Sequence, residues 1–179
     1  MVSEEQNPDE APGAVEGARA LPENPILSKL IEAFANAEWS TSHGQDVVGL
    51  PREELRTFGE AARQVGFEML ADVTAVDWLD RRDHRFDVVV NLVSMQHVLR
   101  MRVLVGAPAG DPSVPSLVPV WPGANFAERE VFDLFGIEFS DHPDLTRILM
   151  PDDWEGYPLR KDFEVGAVPV QFKAAHKVT

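Results

Sequence analysis

The chain reads as an α+β protein: a two-layer domain with helices on one face of a mixed β-sheet, followed by a long low-regularity C-terminal arm. Three observations lead there. The segments Phe86–Val93 and Leu99–Val105 are the clearest strands, and the second alternates Leu99, Met101, Val103 and Val105 with Arg100 and Arg102, as a sheet with one wet face requires. Two segments of helical periodicity precede them, enough to cover the other face. After Phe135, about 40 residues carry apolar anchors without periodicity, which compact domains rarely hold unless that chain is functional or lies against something.

Taken in order, residues 1–25 hold four prolines and six acidic side chains against the lone Arg19, and cannot bury enough apolar area to offset chain entropy. They are expected to be a disordered acidic tail. Ile26, Leu27, Leu30, Ile31 and Phe34 then recur at helical spacing, predicting an amphipathic helix ending near Ala37. Asp46–Leu50 reads as a short strand. Pro51 opens a second helix with Glu53 and Glu54 in its first turn, Leu55, Phe58, Ala62 and Val65 on one face, and Gly66 as its stop. Phe67–Val73 reads as a strand that continues in extended form to Leu79, and Asp80–Arg85 is a charged turn. Ser94–Val98 joins the two clear strands as a hairpin.

Beyond Gly106, five prolines from Pro108 to Pro122 argue against helix. The next helix, in ANFAEREVFDLFG, spreads Ala127, Val131, Phe132, Leu134 and Phe135 over about 160° of its surface, wider than the roughly 100° stripe that one contact needs. A second apolar neighbour is implied, and Glu128 falls inside that arc. Asn125 and Glu128 suggest a capping box, and Gly136 a terminator. The division expected is therefore a tail over 1–25, an α+β body over 26–121, and a helix plus partner-binding arm over 122–179.

Composition removes several functions. With no cysteine, the chain offers no disulfide, thiol nucleophile or cysteine-ligated iron–sulfur cluster. A net charge of −14, with no basic cluster beyond Arg81–Arg85, argues against nucleic acid. No apolar run is long enough to span a bilayer and no secretory pattern opens the chain, so a soluble intracellular protein is expected, reaching a membrane only through a partner. Walker, GxGxxG, GxSxG and HExxH motifs are absent.

Among candidate chemical groups, Asp141, His142 and Asp144 could ligate a metal or form an acid/base pair, although Pro143 makes a turn the simpler reading. Arg129 and Asp133, four residues apart, suit a surface ion pair, while Glu130 sits where an interface rim would. Arg160, Lys161 and Asp162 are either a solvated cluster or a guanidinium held against a partner carboxylate. Trp121 and Trp154, in WPG and DDWEGYP, are read as interface anchors in preference to plugs of small local cores.

The string from Ala124 to Phe163 resembles the signature of the 30-kilodalton, C-type subunit of proton-pumping NADH:quinone oxidoreductase, respiratory complex I. The resemblance lies in ERE at Glu128–Glu130, DLFGI at Asp133–Ile137, HPDL at His142–Leu145, RILMPDDWEG at Arg147–Gly156 and PLRKD at Pro158–Asp162, and extends more loosely back to Ala71. Thr146 is a departure, standing where the family pattern leads one to expect a second basic residue. The resemblance implies a subunit without cofactor or catalytic residues, with flavin, iron–sulfur clusters and quinone in partner subunits. It implies packing against the quinone-site subunit, the 49-kilodalton or D-type one, and other hydrophilic-arm subunits at the cytoplasmic face of the plasma membrane. The expected partner-binding residues are Glu128, Arg129, Glu130, Asp133, Phe135, His142, Arg147, Trp154, Arg160, Lys161 and Asp162. Two alternatives are a homologous subunit of a related membrane-bound hydrogenase or dehydrogenase, and a stand-alone metal-dependent hydrolase built on Asp141, His142 and Asp144.

Overall fold

The computed structural model describes residues 20–164; most of the acidic tail, and the chain after Glu164, lie outside the described residues. Helix α1, Pro25–Glu32, starts where Asn24 accepts hydrogen bonds from the Ile26 and Leu27 amides and proline sets the first helical φ. It stops five residues short of Ala37, because the chain turns at Phe34 and then enters strand β1, Glu38–Ser42. That strand has no signal of its own: EWSTS lacks apolar alternation, and cross-strand pairing holds it instead. His43 and Gly44, both at positive φ, make the two-residue turn into β2, Gln45–Leu50, with Ser42 opposite Gln45.

A single 3-10 turn, Arg52–Glu54, leads into α2, Leu55–Gln64. Strands β3 (Met69–Asp77), β4 (Phe86–Ser94) and β5 (Leu99–Ala107) follow as antiparallel neighbours, with a bulge between Leu70 and Asp72. Because β2 runs parallel to β5, the sheet is mixed, in the order β1-β2-β5-β4-β3. Leu27, Ile31, Phe58 and Ala62 from the helices meet Val48, Val88, Val90, Met101, Val103 and Val105 from one face of the sheet in the main core. This is the α+β architecture expected, with the helical layer on one side.

The proline-rich segment does more than connect. Strand β6, Ser113–Pro115, pairs in parallel with β7, Glu138–Ser140, across the intervening helix α3, Ala124–Phe135. Leu117, Val120 and Trp121 drop into the main core, and Trp121 Nε1 donates to the Phe67 carbonyl at 3.2 Å. Trp121 is thus a core plug and not an interface anchor. Its indole N–H finds a backbone acceptor at a strand start, a pairing that the local sequence WPG cannot reveal.

Candidate functional site

Helix α3 packs along β3, and its side chains sort into three faces. Ala124, Val131 and Phe135 join the core, Arg129 and Asp133 lie beneath the arm, and Phe126 and Glu130 remain exposed.

Glu128 goes inward with the core residues and is fully buried. Its carboxylate accepts from Ser116 Oγ at 2.7 Å and from the Leu117 amide at 2.6 Å, tying the proline-rich segment to α3. No capping box forms: the helix begins after Gly123 without a side-chain cap, and Asn125 is already inside it. Loss of hydration pushes the Glu128 carboxyl up to about 7 against the two hydrogen bonds and Arg56. The buried His142 ring lies nearby, with Nε2 4.0 Å from the Glu128 carboxylate and 3.3 Å from the Asn125 carbonyl. Its Nδ1 accepts from the Asp144 amide, which leaves Nε2 as the ring's donor.

Asp133 has no exposed surface. One oxygen receives Arg147 Nη1 at 2.7 Å; the other receives the successive amides of Ile148, Leu149 and Met150 at 3.0, 2.7 and 2.8 Å. Burial alone would raise this carboxyl, but the three N–H groups and the guanidinium outweigh it and hold it down to about 2. Arg129 is therefore not its surface partner. Arg129 spans the Thr146 carbonyl at 3.1 Å, the Thr146 hydroxyl at 3.0 Å and the Arg147 carbonyl at 3.1 Å. The i, i+4 spacing suggests a pair, but each side chain instead fixes a separate length of non-helical backbone.

Two further ties hold the arm. Arg160 donates to the carbonyls of Phe135 at 2.5 Å and Gly136 at 3.2 Å, at the C-terminal end of α3, and stacks over the Tyr157 ring at 4.5 Å. Gly136 ends the helix in the left-handed region, and a Cβ there would collide with Tyr157. The second tie is centred on buried Asp77, which accepts from Arg85 Nη2 at 3.0 Å and from the amides of Leu79 and Lys161 at 2.8 Å; Arg85 reaches on to Asp162 at 2.6 Å. Arg85 in turn holds the carboxyls of Asp77 and Asp162 below the usual range, in the case of Asp77 against the opposing effect of burial.

The arm's backbone is thereby fastened while much of its apolar surface is not covered. Phe126, Ile148, Leu149 and Leu159 are exposed, Leu149 by 55 % and Phe126 by 65 %. Trp154 stacks on Phe163 at 6.3 Å, with its indole N–H buried and unpartnered. Of the residues singled out in the sequence, Glu128 and Asp133 are wholly internal and Phe135 nearly so, whereas Glu130 is open. Asp77 and Arg85 carry no local signal, because the segments they join are about 80 residues apart in the chain, farther than any periodicity reaches.

Asp141, His142 and Asp144 do not converge. Asp141 points to Arg56 at 2.9 Å, His142 is turned inward to Asn125 and Glu128, and among the described residues no three such side chains could hold a metal ion. Nor is any described helix long and apolar enough to cross a membrane.

Residues 48–168 match the model of the family described as respiratory-chain NADH dehydrogenase, 30 Kd subunit. The C-type subunit of the NADH-quinone oxidoreductase of Streptomyces coelicolor is 38 % identical over 170 residues, covering 93 % of this chain and 64 % of its own length. That of Geobacter sulfurreducens is 41 % identical over 143 residues, covering 78 % of this chain and 88 % of its own. The chain spans only part of the length of several such relatives, 64 % of the Streptomyces protein and 53 % of the C-type subunit of a Nocardioides species. Among solved structures, a trypsin-resistant fragment of Nqo5 superposes with a TM-score of 0.58 at 39 % identity, over 61 % of this chain and 89 % of its own. A chain of an archaeal membrane-bound sulfane sulfur reductase shares the fold, with a TM-score of 0.71 at 23 % identity over 86 % of this chain and 96 % of its own. By the span of the family match and the identity to these relatives, the chain belongs to the 30-kilodalton, C-type subunit family of respiratory NADH-quinone oxidoreductases.

Proposed function

We propose that the chain is a cofactor-free structural subunit of NADH:quinone oxidoreductase that positions the quinone-site subunit, the 49-kilodalton or D-type one. Flavin, iron–sulfur clusters and quinone are carried by partner subunits. The chain sits with the other hydrophilic-arm subunits on the cytoplasmic face of the plasma membrane and moves neither electrons nor protons itself. The observation that carries this reading is the arm: Asp133, Arg129, Arg160 and Asp77 hold its backbone, so that Ile148, Leu149 and Leu159 present fixed apolar side chains to the outside. Preorganised apolar anchors of this kind lower the entropic cost of association, and obligate interfaces commonly bury about 2,000 Å² or more of core-like surface. Phe126 and Glu130 are likewise exposed on α3.

The test is assembly. With Ile148→Asp and Leu149→Asp combined, the purified chain should keep its melting temperature, since both side chains project from the fold, while recovery of flavin- and iron–sulfur-containing partners from gently solubilised membranes falls at least about tenfold. Normal assembly with a specific loss of quinone reduction would overturn the positional role.

A further inference from the structure

The sheet face turned away from the helices carries a cavity of about 250 Å³, lined chiefly by Gln45, Ala71, Asn91, Val93, Arg100 and Arg102. The strand register builds it: Arg102 of β5 lies opposite Asn91 of β4, Arg100 lies opposite Val93, and the bulge in β3 sets Ala71 at the rim. Arg102 Nη2 donates to Gln45 Oε1 at 2.8 Å, while its Nε is shielded from solvent and has no acceptor. No carboxylate lines the cavity, and among the described residues neither Arg100 nor Arg102 forms an ion pair. Asp72, the register partner of Asn91, is exposed and does not line it.

A buried guanidinium N–H without an acceptor is costly, and a planar carboxylate satisfies it with two parallel bonds. Two arginines in one recess of a chain with a net charge of −14 mark a local reversal of sign. The recess falls short of the roughly 300–1,000 Å³ typical of small-molecule clefts, and suits a single side chain. Val93 and Ala71 offer an apolar wall for methylenes.

We propose that this face is a second docking site, whose recess takes a glutamate or aspartate side chain of a partner polypeptide between Arg100 and Arg102. It lies on the opposite side of the sheet from the helical layer and does not depend on the arm. Charge complementarity selects the occupant: the guanidinium pair requires an acid, and Val93 and Ala71 line the way in for its methylenes.

Nuclear magnetic resonance on the full chain tests this directly, using the capped tripeptides Ac-Val-Glu-Val-NH2 and Ac-Val-Gln-Val-NH2 and, separately, sodium sulfate. The glutamate peptide should shift the Arg102 Nε–H resonance downfield, bind about tenfold more tightly than its glutamine counterpart, and weaken as salt is raised. Arg102→Met should abolish that preference. Arg100→Gln, at a more exposed position that leaves the fold intact, should reduce it several-fold, while Arg63→Gln on α2 leaves it unchanged. Equal binding of the two peptides, equal occupancy by sulfate, an unmoved Arg102 Nε–H, or dimerisation of the chain through this face would each overturn the proposal.

Discussion

Asp133 and Glu128 show how two carboxylates, five positions apart on one helix, can be driven in opposite directions. Asp133 is ionised beneath four donors, so Asp133→Ala should cost about 3 kcal/mol in urea unfolding, the lower end expected when one member of a buried pair is removed, because Arg147 keeps some access to water. With a folded-state value of about 2 against the usual 3.8, its stabilisation is complete above the usual value and is lost as pH falls towards 2. Glu128 runs the other way. Raised from 4.5 to about 7, it contributes stability that is fully present below pH 4.5 and disappears as pH rises through 7. Glu128→Gln should therefore flatten the stability profile between those values, measured by thermal unfolding across a pH series; an unchanged slope would mean that Glu128 is not the titrating group. The sequence carries a hint of the second case, an acid inside an apolar arc, but none of the first. Asp133 looks like half of a surface pair until the fold brings residues 147–150 over it.

Between elements, the junction of α3 with the arm depends on Gly136. Left-handed backbone disfavours a side chain by roughly 1–2 kcal/mol, and here a Cβ would also strike Tyr157. Gly136→Ala should lower stability by more than about 2 kcal/mol, and pairing it with Tyr157→Ala should recover part of that loss, as non-additivity in a double-mutant cycle. Helices α1 to α3 and strands β2 to β5 are legible in the sequence because each carries its own periodicity or stop signal. Strands β1, β6 and β7 are not, being short, polar or proline-bearing, and existing only because a neighbouring strand supplies their hydrogen bonds. The wide apolar arc of α3 calls for more than one neighbour; that the chain's own arm lies over this helix, with Ile137 and Phe139 in the core and its later backbone held by carboxylate and guanidinium groups, is a feature of the tertiary structure.

At the level of the whole molecule, Asp77 joins the far end of the arm to the sheet edge through Arg85, Lys161 and Asp162. Asp77→Asn should speed hydrogen exchange of the amides from Leu159 to Phe163 by more than about tenfold while those of β4 and β5 stay protected, because local opening draws on few contacts. Uniform loss of protection would instead place Asp77 in the cooperative core. The sequence by itself determined the helical layer, the main strands of the sheet and the family, since these depend on periodicity and on an ordered run of motifs along one stretch of chain. The tertiary structure alone decided which charges are buried, what Asp133, Arg129 and Arg160 hold, and where two arginines share a recess. Those outcomes depend on pairings between residues distant in sequence, and burial changes the energy of a charge far more than any local pattern can signal.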